Sequence, residues 1–427
     1  MQRPAAFADK PRPAPAEGFS LGPGRGAFGP VTCLAPDRAE NGPRVRIRLV
    51  PDVLIFGDSI RSPELRHEVP VPVPDPFLYA EKDGRRIAVL HSLEIPRVRQ
   101  NVPDLEIVPL EQLGSDELYS QGLQGHEIML ELAVRACREF GIERATVPEN
   151  FPIGHADHLR ANGIELQVDR DLFDNRRRAK NETELKGIRN AQKACEAALD
   201  ASRALLRRAQ PNGAGLEVDG APLTCERLKR VIEDVFADHE VEGSDMIVAH
   251  GAQTAVGHDM GSGQIGPNEP IVFDLFPRDK ATGCYADMTR TYVVGEPSDE
   301  VKEWYRLVKE ALETSTAGVK PGVNGRKLYE EVCDIFHAAG HKTQLHKEPG
   351  EVLEDGFFHS LGHGVGLEVH EQPSLGRIGH DLIPGDVVTV EPGLYRSGYG
   401  GLRLEDLVLV TKDGHEVLTD YPYDLGP

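Results

Sequence analysis

Short apolar runs alternate with amphipathic stretches over residues 44–175. Residues 77–91 alternate apolar and polar positions around Asp83-Gly84, a dipeptide typical of tight turns, so this segment predicts a β-hairpin. Residues 125–140 repeat apolar positions at helical spacing and predict a helix. Further strands are predicted at 44–49, 53–57, 105–110, 145–148 and 164–168, and a short helix at 155–162. This alternation predicts an α/β domain that ends near residue 175.

A second pattern begins at Asn181-Glu-Thr-Glu184, which has the form of a helix capping box. The apolar positions after it recur at helical spacing and predict a long helix over 182–209. More helices are predicted at 222–238, 299–316 and 325–339, and strands at 245–250, 270–276, 284–294, 387–395 and 402–411. Helices interleaved with antiparallel strands predict an α+β domain over residues 176–427.

The N-terminal residues 1–43 are rich in proline, glycine and alanine without a repeat, which predicts a loosely packed arm with no chemistry of its own. No window of the chain approaches eighteen apolar residues, and the N-terminus lacks a basic segment followed by an apolar one. The sequence therefore predicts neither a membrane span nor a signal peptide. The simplest expectation is a cytoplasmic protein.

The charge and the cysteines exclude some classes of function. A net charge of −21 disfavours nucleic acid and anionic membranes as partners. The six cysteines are scattered and form no Cys-x-x-Cys motif, which disfavours a zinc ribbon or a disulfide framework. We expect them to be reduced and structural.

Three histidines lie among glycines in residues 357–370, which read Phe-Phe-His-Ser-Leu-Gly-His-Gly-Val-Gly-Leu-Glu-Val-His. Gly362 and Gly364 flank His363, so a backbone or a bound group can approach this imidazole closely. In an extended segment His359 and His363 share a face, whereas His370 joins them only if a bulge intervenes. The alternative is a glycine-rich loop with incidental histidines, and this segment alone does not decide between the two.

Four carboxylates occur in largely apolar predicted strands. Asp274 and Asp287 flank a short loop, and a regular hairpin centred near residues 280 and 281 would place them opposite each other. Glu391 and Glu405 repeat the arrangement around Gly398. Because like charges that face each other in apolar strands are destabilising, a cationic group must compensate them. The alternative is that individual acids lie at an edge and face water.

Four carboxylates and His363 form an oxygen-rich set that suits two divalent cations such as manganese, cobalt or zinc. A rival metal pattern is formed by His337, His341 and His346. Gly340 is expected to end the helix there and the segment is polar, so we disfavour this second pattern.

These motifs resemble those of the pita-bread metallopeptidases, the family of aminopeptidase P (Xaa-Pro aminopeptidase), prolidase, methionine aminopeptidase and creatinase. The resemblance is strong over residues 175–427 and weaker before them, where a creatinase-like N-terminal domain is expected. It rests on Phe-Asp-Leu, Ala-Asp-Met-Thr-Arg-Thr, Gly-His-Gly-Val-Gly, Glu-Pro-Gly and Arg-Leu-Glu-Asp. It implies an α+β pita-bread fold and five metal ligands, which are Asp274, Asp287, His363, Glu391 and Glu405.

The resemblance also implies roles for individual residues. Asp287 and Glu405 would bridge two metal ions, and Glu391 would move a proton during catalysis. His258 and His370 would donate hydrogen bonds to the reacting peptide. The expected ion is Mn2+, with Co2+ or Zn2+ as alternatives, and the expected assembly is a homodimer or homotetramer.

His359 and Arg403 resemble substrate-binding residues of the proline-specific members. The first expectation is therefore an Xaa-Pro aminopeptidase, which acts on peptides with proline at the second position. The alternatives are an Xaa-Pro dipeptidase and a non-catalytic binding scaffold with the same fold. One departure from the family is the loop 278–283, which is longer than in many relatives.

Overall fold

The computed structural model describes residues 51–427. The arm predicted over residues 1–43 and the strand predicted at 44–49 lie outside the described residues. Within residues 51–427, no helix combines the length and the apolar character needed to cross a bilayer. The cysteines of this part of the chain are free and buried: Cys137, Cys195, Cys225, Cys284 and Cys333.

A six-stranded mixed sheet carries the first half of the described chain. Its strands are β1 (Val53–Gly57), β2 (Phe77–Lys82), β3 (Arg85–Leu90), β4 (Glu106–Pro109), β5 (Arg144–Val147) and β6 (Glu165–Val168), in the order β4-β3-β2-β1-β5-β6. The predicted hairpin is confirmed, because β2 and β3 pair antiparallel. Asp83 and Gly84 form its turn with positive φ angles of 51° and 80°. β1 pairs antiparallel with β2 and parallel with β5.

Helices cover both faces of this sheet. They are α1 (Pro63–Glu68), α2 (Ile95–Asn101), α3 (Ser115–Ser120), α4 (Gly125–Phe140), α5 (Ile153–Ala161) and α6 (Arg170–Arg178). Successive side chains of a strand point to opposite faces. Val53 and Ile55 therefore pack in one apolar cluster with residues of α1, α2 and α6, while Leu54 packs in another with residues of α4 and α5. Helix α4 has the predicted bounds and ends at Gly141, which has a φ angle of 70°.

The second half begins with α7 (Glu182–Leu206), whose capping box between Asn181 and Glu184 is formed as predicted. The later helices are α8 (Cys225–Asp238), α9 (Asp299–Gly318) and α10 (Gly325–Ala338). The first strands are β7 (Gln210–Asn212), β8 (Gly215–Val218), β9 (Ala221–Pro222), β10 (Val241–Glu242), β11 (Ile247–His250), β12 (Pro270–Leu275), β13 (Arg278–Asp279) and β14 (Met288–Val293). The last are β15 (Gly362–Gly364), β16 (Glu371–Leu375), β17 (Val387–Val390), β18 (Gly393–Arg396), β19 (Gly400–Arg403), β20 (Asp406–Val410) and β21 (His415–Val417).

Two apolar clusters support the strands of this half. One cluster packs α7 and α8 against the three-stranded sheet β11-β12-β14, and the other packs α9 and α10 against β17 to β20. The five-stranded sheet β16-β15-β17-β20-β21 contributes to both clusters. The elements of the predicted metal site, β12, β14, β15 and the β17 to β20 region, therefore stand on a rigid base of buried side chains.

Ion pairs connect the end of α6 and the residues just after it to the second half. Arg178 donates through Nε and Nη2 to the two carboxylate oxygens of Asp386, at 2.9 and 2.7 Å. Asp386 is completely buried, so this paired contact supplies its counter-charge. Lys180 pairs with Glu371 at the start of β16, and both of these side chains are buried. The end of α6 is thereby held against the strand that follows His370.

Candidate active site

All nine residues singled out in the sequence line one cavity of about 590 Å3. They are Asp274, Asp287, His363, Glu391, Glu405, His258, His370, His359 and Arg403. Apolar side chains share the wall of this active-site cavity: Ile247, Met260, Phe276 and Phe358. The two acidic hairpins and the glycine-histidine segment therefore converge, although they are distant in sequence.

The first acidic hairpin differs from its predicted register. Asp274 on β12 pairs with Thr289 on β14, so the prediction that it faces Asp287 is wrong. The bridge between Arg278 and Tyr285 continues the same register, so the hairpin is intact and turns one residue later along the chain than predicted. Asp287 lies two residues before Thr289, on the same side of the strand, so the two carboxylates are diagonal neighbours.

The second acidic hairpin has its predicted centre. The pairs β17–β20 and β18–β19 share one register, which is centred on Gly398. Glu391 and Glu405 lie between these two ladders at matching positions. Gly398 occupies the turn with a φ angle of 71°, a conformation that favours glycine.

The glycines beside His363 allow strands to pack unusually close. A Cβ atom on Gly362 would lie 2.0 Å from the carbonyl oxygen of Thr389, and one on Gly364 would lie 2.2 Å from that of Gln372. The pairing of β15 with β16 shifts between His363 and Gly364, which is the kind of bulge that the sequence analysis required. This close approach brings the imidazole of His363 over the acidic hairpins.

His363 presents a free lone pair to the carboxylates. Its Nδ1 lies 3.1 Å from the carbonyl oxygen of Gly364, which can only accept, so Nδ1 carries the proton. Its Nε2 lies 3.5 Å from Oε1 of Glu391 and 3.8 Å from Oδ2 of Asp287. Burial, and then the nearby His370, lower the pKa of His363 to about 3. The ring is therefore neutral and suited to bind a metal ion through Nε2.

The carboxylates of the site repel one another in a buried setting. Burial, followed by the charge of Glu405, raises the pKa values of Asp287 and Glu391 well above the ordinary range. Burial, followed by the charge of Asp274, raises the pKa of Glu405 to about 8. Arg403 opposes all three shifts, but a single guanidinium does not balance four carboxylates. The cluster requires additional positive charge when it is ionised.

The residues fit a divalent metal ion. Ligand atoms of Asp287, His363 and Glu405 lie within 4.8 Å of one another. Oδ1 of Asp287 is buried and has no hydrogen-bond partner within residues 51–427. Buried polar atoms in native proteins nearly always have a partner, so this oxygen indicates a missing one. Carboxylate and imidazole donors are accepted by manganese, cobalt and zinc.

The rival histidine pattern does not form a comparable cluster among the described residues. The rings of His337 and His346 stack in parallel, with their centroids 4.0 Å apart. His346 instead hydrogen-bonds Thr343 and pairs with Asp334.

A hydrogen-bond chain runs behind the carboxylates. Arg403 donates from Nη2 to Oδ2 of Asp274 at 2.6 Å and from Nη1 to the hydroxyl oxygen of Tyr395 at 2.9 Å. Nδ1 of His359 lies 2.8 Å from the carbonyl oxygen of Ser360, so His359 accepts at Nε2. The Tyr395 hydroxyl therefore donates to that Nε2, at 2.9 Å. This chain couples Asp274 to the wall of the cavity.

The sequence analysis missed two residues of this network, Tyr395 and Thr289. Thr289 donates from Oγ1 to Oε2 of Glu405 at 2.7 Å and accepts from Nε of Arg403 at 3.2 Å. A signal existed, since Thr289 lies two residues after Asp287 and so on the same face of a strand. The role of Arg403 in substrate binding stays a prediction. Its nitrogens donate to Asp274, Tyr395 and Thr289, which favours a role in positioning Asp274.

Three further histidines, His258, His359 and His370, line the active-site cavity. Burial, and then the charge of Arg403, lower the pKa of His359 to about 3, and its ring lies 4.9 Å from that of Phe357. His359 thus presents a neutral ring to the cavity. His370 lies against His363, with ring centroids 4.3 Å apart, and burial followed by His258 lowers its pKa. Both His258 and His370 are exposed, as a contact with an entering ligand requires.

The buried carboxylates of the two hairpins and the imidazole of His363 form a site that is typical of a metal-dependent hydrolase. The model of metallopeptidase family M24 matches residues 186–412, more than half of the chain, and the chain belongs to this family. The chain is 32% identical over 283 residues to the Xaa-Pro dipeptidase of Pyrococcus horikoshii, across 65% of this chain and 74% of the relative.

Solved structures agree with this assignment. The Xaa-Pro dipeptidase of Bacillus anthracis superimposes with a TM-score of 0.71 at 25% identity, covering 88% of this chain and 94% of that one. The X-Pro aminopeptidase of Thermotoga maritima has the same fold, with a TM-score of 0.70 at 24% identity over 88% and 97% of the two chains. The predicted pita-bread family is confirmed. So is the predicted fold class, an α+β pita-bread domain preceded by an α/β creatinase-like domain.

Proposed function

We propose that this protein is a dinuclear-metal peptidase that hydrolyses Xaa-Pro bonds, with Xaa-Pro dipeptides as its first substrate class. The cluster of buried, under-compensated carboxylates around the unpartnered Oδ1 of Asp287 is the observation that carries this proposal. The relatives from P. horikoshii and B. anthracis both bear the name Xaa-Pro dipeptidase. They favour the dipeptidase alternative over the aminopeptidase that was the first expectation.

The five predicted ligands would hold the metal ions. Bound divalent ions, manganese or alternatively cobalt or zinc, supply a Lewis acid that lowers the pKa of water and polarises the scissile carbonyl. Glu391 lies beside the Nε2 of His363, where its carboxylate can accept a proton and return it to the leaving amine. His258 and His370, which line the cavity, are placed to donate hydrogen bonds to the carbonyl oxygen of the peptide.

The wall formed by His359 and Phe358 suits the ring of proline. His359 is uncharged, and both of its ring nitrogens are engaged by Ser360 and Tyr395. Phe358 lines the cavity beside it and packs against Tyr395, with ring centroids 4.9 Å apart. A cyclic apolar side chain loses little conformational entropy when it packs against such a rigid face.

A second candidate function is an Xaa-Pro aminopeptidase, which cleaves longer chains. A dipeptidase must hold the free carboxylate that follows proline. Arg403 is the sole lysine or arginine among the described residues that line the active-site cavity, and its donors are engaged by Asp274, Tyr395 and Thr289. This observation favours a substrate whose carboxyl end lies outside the cavity.

A metal-reconstitution experiment tests the proposed function. Protein stripped with a chelator should be inactive towards Ala-Pro and should recover when manganese, cobalt or zinc is added. Ala-Ala should remain uncleaved. Elemental analysis of Glu405→Gln should show loss of most of the metal, because the substitution removes a charged ligand.

The same substitution at the surface provides a matched control. Glu416 pairs with Arg189 outside the cavity, so Glu416→Gln should retain full metal content and activity. Full metal occupancy in Glu405→Gln would contradict the assigned ligand. Metal binding without turnover of any proline peptide would instead favour the non-catalytic scaffold.

A further inference from the structure

A second cavity, of about 480 Å3, adjoins the active-site cavity. The two cavities share Val369 and His370, which form a common wall. Three arginines line this second cavity, Arg61, Arg66 and Arg278, against one acidic residue. We call it the arginine cavity. Arg61 pairs with Asp58 and Arg278 pairs with Glu242, whereas Arg66 has no carboxylate partner among the described residues.

Arg66 is a buried cation that pairs with no carboxylate within residues 51–427. It is 3% exposed and donates to the carbonyl oxygens of Ala281 at 2.6 Å, Thr282 at 2.9 Å and Ser59 at 3.4 Å. Burial, and then the charge of Arg278, lower its pKa to about 10. A buried charge without a partner of opposite sign is costly, so a bound anion would stabilise this arrangement.

Arg61 has a guanidinium that is open to the cavity. Its side chain is 79% exposed, and Nε donates to Oδ2 of Asp58 at 2.9 Å. Within residues 51–427, Nη1 and Nη2 of Arg61 have no hydrogen-bond partner. The planar guanidinium matches the geometry of a carboxylate and binds it through two parallel hydrogen bonds.

Two other cavities also share residues with the active-site cavity, and each is lined by more acidic than basic residues. The cavity that shares Ser374 and His370 is lined by two arginines and five acidic residues. The cavity that shares Phe276 and Val369 is lined by two basic and three acidic residues. A negatively charged group that leaves the active-site cavity therefore meets less repulsion in the arginine cavity than in the other two.

We propose that the arginine cavity binds the terminal carboxylate of Xaa-Pro peptides longer than two residues, which adds longer peptides to the substrates of this enzyme. This inference rests on the proposed function. Cleavage requires the Xaa-Pro bond to lie at the proposed metal ligands, so the residues after proline extend away from these ligands. Val369 and His370 line both cavities, so the carboxyl end of a longer peptide can reach the arginine cavity beside them. The carboxylate of a dipeptide remains within the active-site cavity.

The test compares Ala-Pro-Ala carrying a free carboxylate with the same tripeptide carrying a C-terminal amide. At low ionic strength, the metal-loaded enzyme should cleave the acid with a kcat/KM about tenfold higher than that of the amide. The reason is that a hydrogen bond to a charged carboxylate is stronger than one to a neutral amide, by about the free energy that corresponds to a factor of ten. Arg61→Ala should reduce the acid-to-amide ratio of kcat/KM to about twofold, because KM for the acid rises. Arg61→Lys should restore part of the preference. The matched control Arg170→Ala, which removes an exposed arginine from a neighbouring cavity, should leave the ratio unchanged.

The outcomes separate this inference from the proposed function. Cleavage of Ala-Pro without cleavage of either tripeptide, or an acid-to-amide ratio that Arg61→Ala leaves unchanged, overturns the inference and leaves the proposed function standing. If no proline peptide is cleaved, the proposed function fails. Calorimetric binding of the two tripeptides to the metal-free protein then decides the inference, which requires tighter binding of the acid in the wild type and equal binding in Arg61→Ala.

Discussion

Replacing Tyr395 by phenylalanine would interrupt the hydrogen-bond chain behind the carboxylates. Tyr395 is 2% exposed, and its hydroxyl accepts from Arg403 and donates to His359. The substitution leaves Nη1 of Arg403 buried without its partner, while Asp274 and Thr289 still engage the other donors. An unsatisfied buried donor on a charged group costs about 2–3 kcal/mol, so we expect the free energy of unfolding to fall by that amount.

Urea unfolding of the metal-free protein, followed by tryptophan fluorescence, measures this loss. The chain has a single tryptophan, Trp304 of α9, which is buried in the apolar cluster that α9 and α10 form with β17 to β20. Tyr399→Phe is the matched control, because that hydroxyl makes one exposed hydrogen bond, to Ser298, and its loss should cost about 0.5–1 kcal/mol. In an Arg403→Met background, Tyr395→Phe should cost less than it does alone. Equal losses for the two tyrosine variants would refute the reasoning.

Four further results are expected. His359→Ala should raise KM for proline peptides while elemental analysis shows unchanged metal content; loss of metal would make His359 a ligand. Gly362→Ala should destabilise the protein by about 3 kcal/mol or more in urea, because the new Cβ overlaps a backbone oxygen, whereas Gly414→Ala meets no atom and should be neutral. The hydrogen bond to Glu269 raises the pKa of His250. Burial acts to raise the pKa of Glu269, but the hydrogen bond to His250 outweighs it and the pKa of Glu269 is lowered. The stability that protonated His250 contributes is lost as pH rises through its raised pKa, and the stability that ionised Glu269 contributes is lost as pH falls through its lowered pKa. Glu269→Gln should therefore lower the free energy of unfolding most near pH 5–6 and less at pH 9. A loss of stability independent of pH would contradict this. Light scattering at micromolar concentration should show a species larger than the 46.8 kDa monomer; a monomer alone would count against the expected assembly.

Strong periodicity predicted the long elements of the fold. Helix α4 has the predicted bounds, and α7 starts at the predicted capping box. Helix α6 was missed because its sequence, Arg170–Arg178, holds few apolar residues, and it is buried largely through arginine. Its position depends on ion pairs with residues far along the chain, such as Asp386, which periodicity does not detect.

The candidate site was predicted in its members but not in all of its geometry. The second hairpin is regular, so its centre at Gly398 followed from the turn residues. The register of Asp274 did not, because the first hairpin turns one residue later along the chain than its loop sequence indicated. Tyr395 was missed since its role arises from two partners, and neither is adjacent to it in sequence.

The ion pairs of Arg178 and Lys180, at the end of α6 and just after it, limit how this chain can be divided into fragments. A fragment that started at α7 would retain every proposed metal ligand yet lose Arg178 and Lys180. Asp386 would then be an uncompensated charge in the interior, and Glu371, next to the catalytic candidate His370, would lose its buried partner. A minimal catalytic fragment, or a chimera with a foreign N-terminal domain, should therefore keep residues 170–181 from this protein.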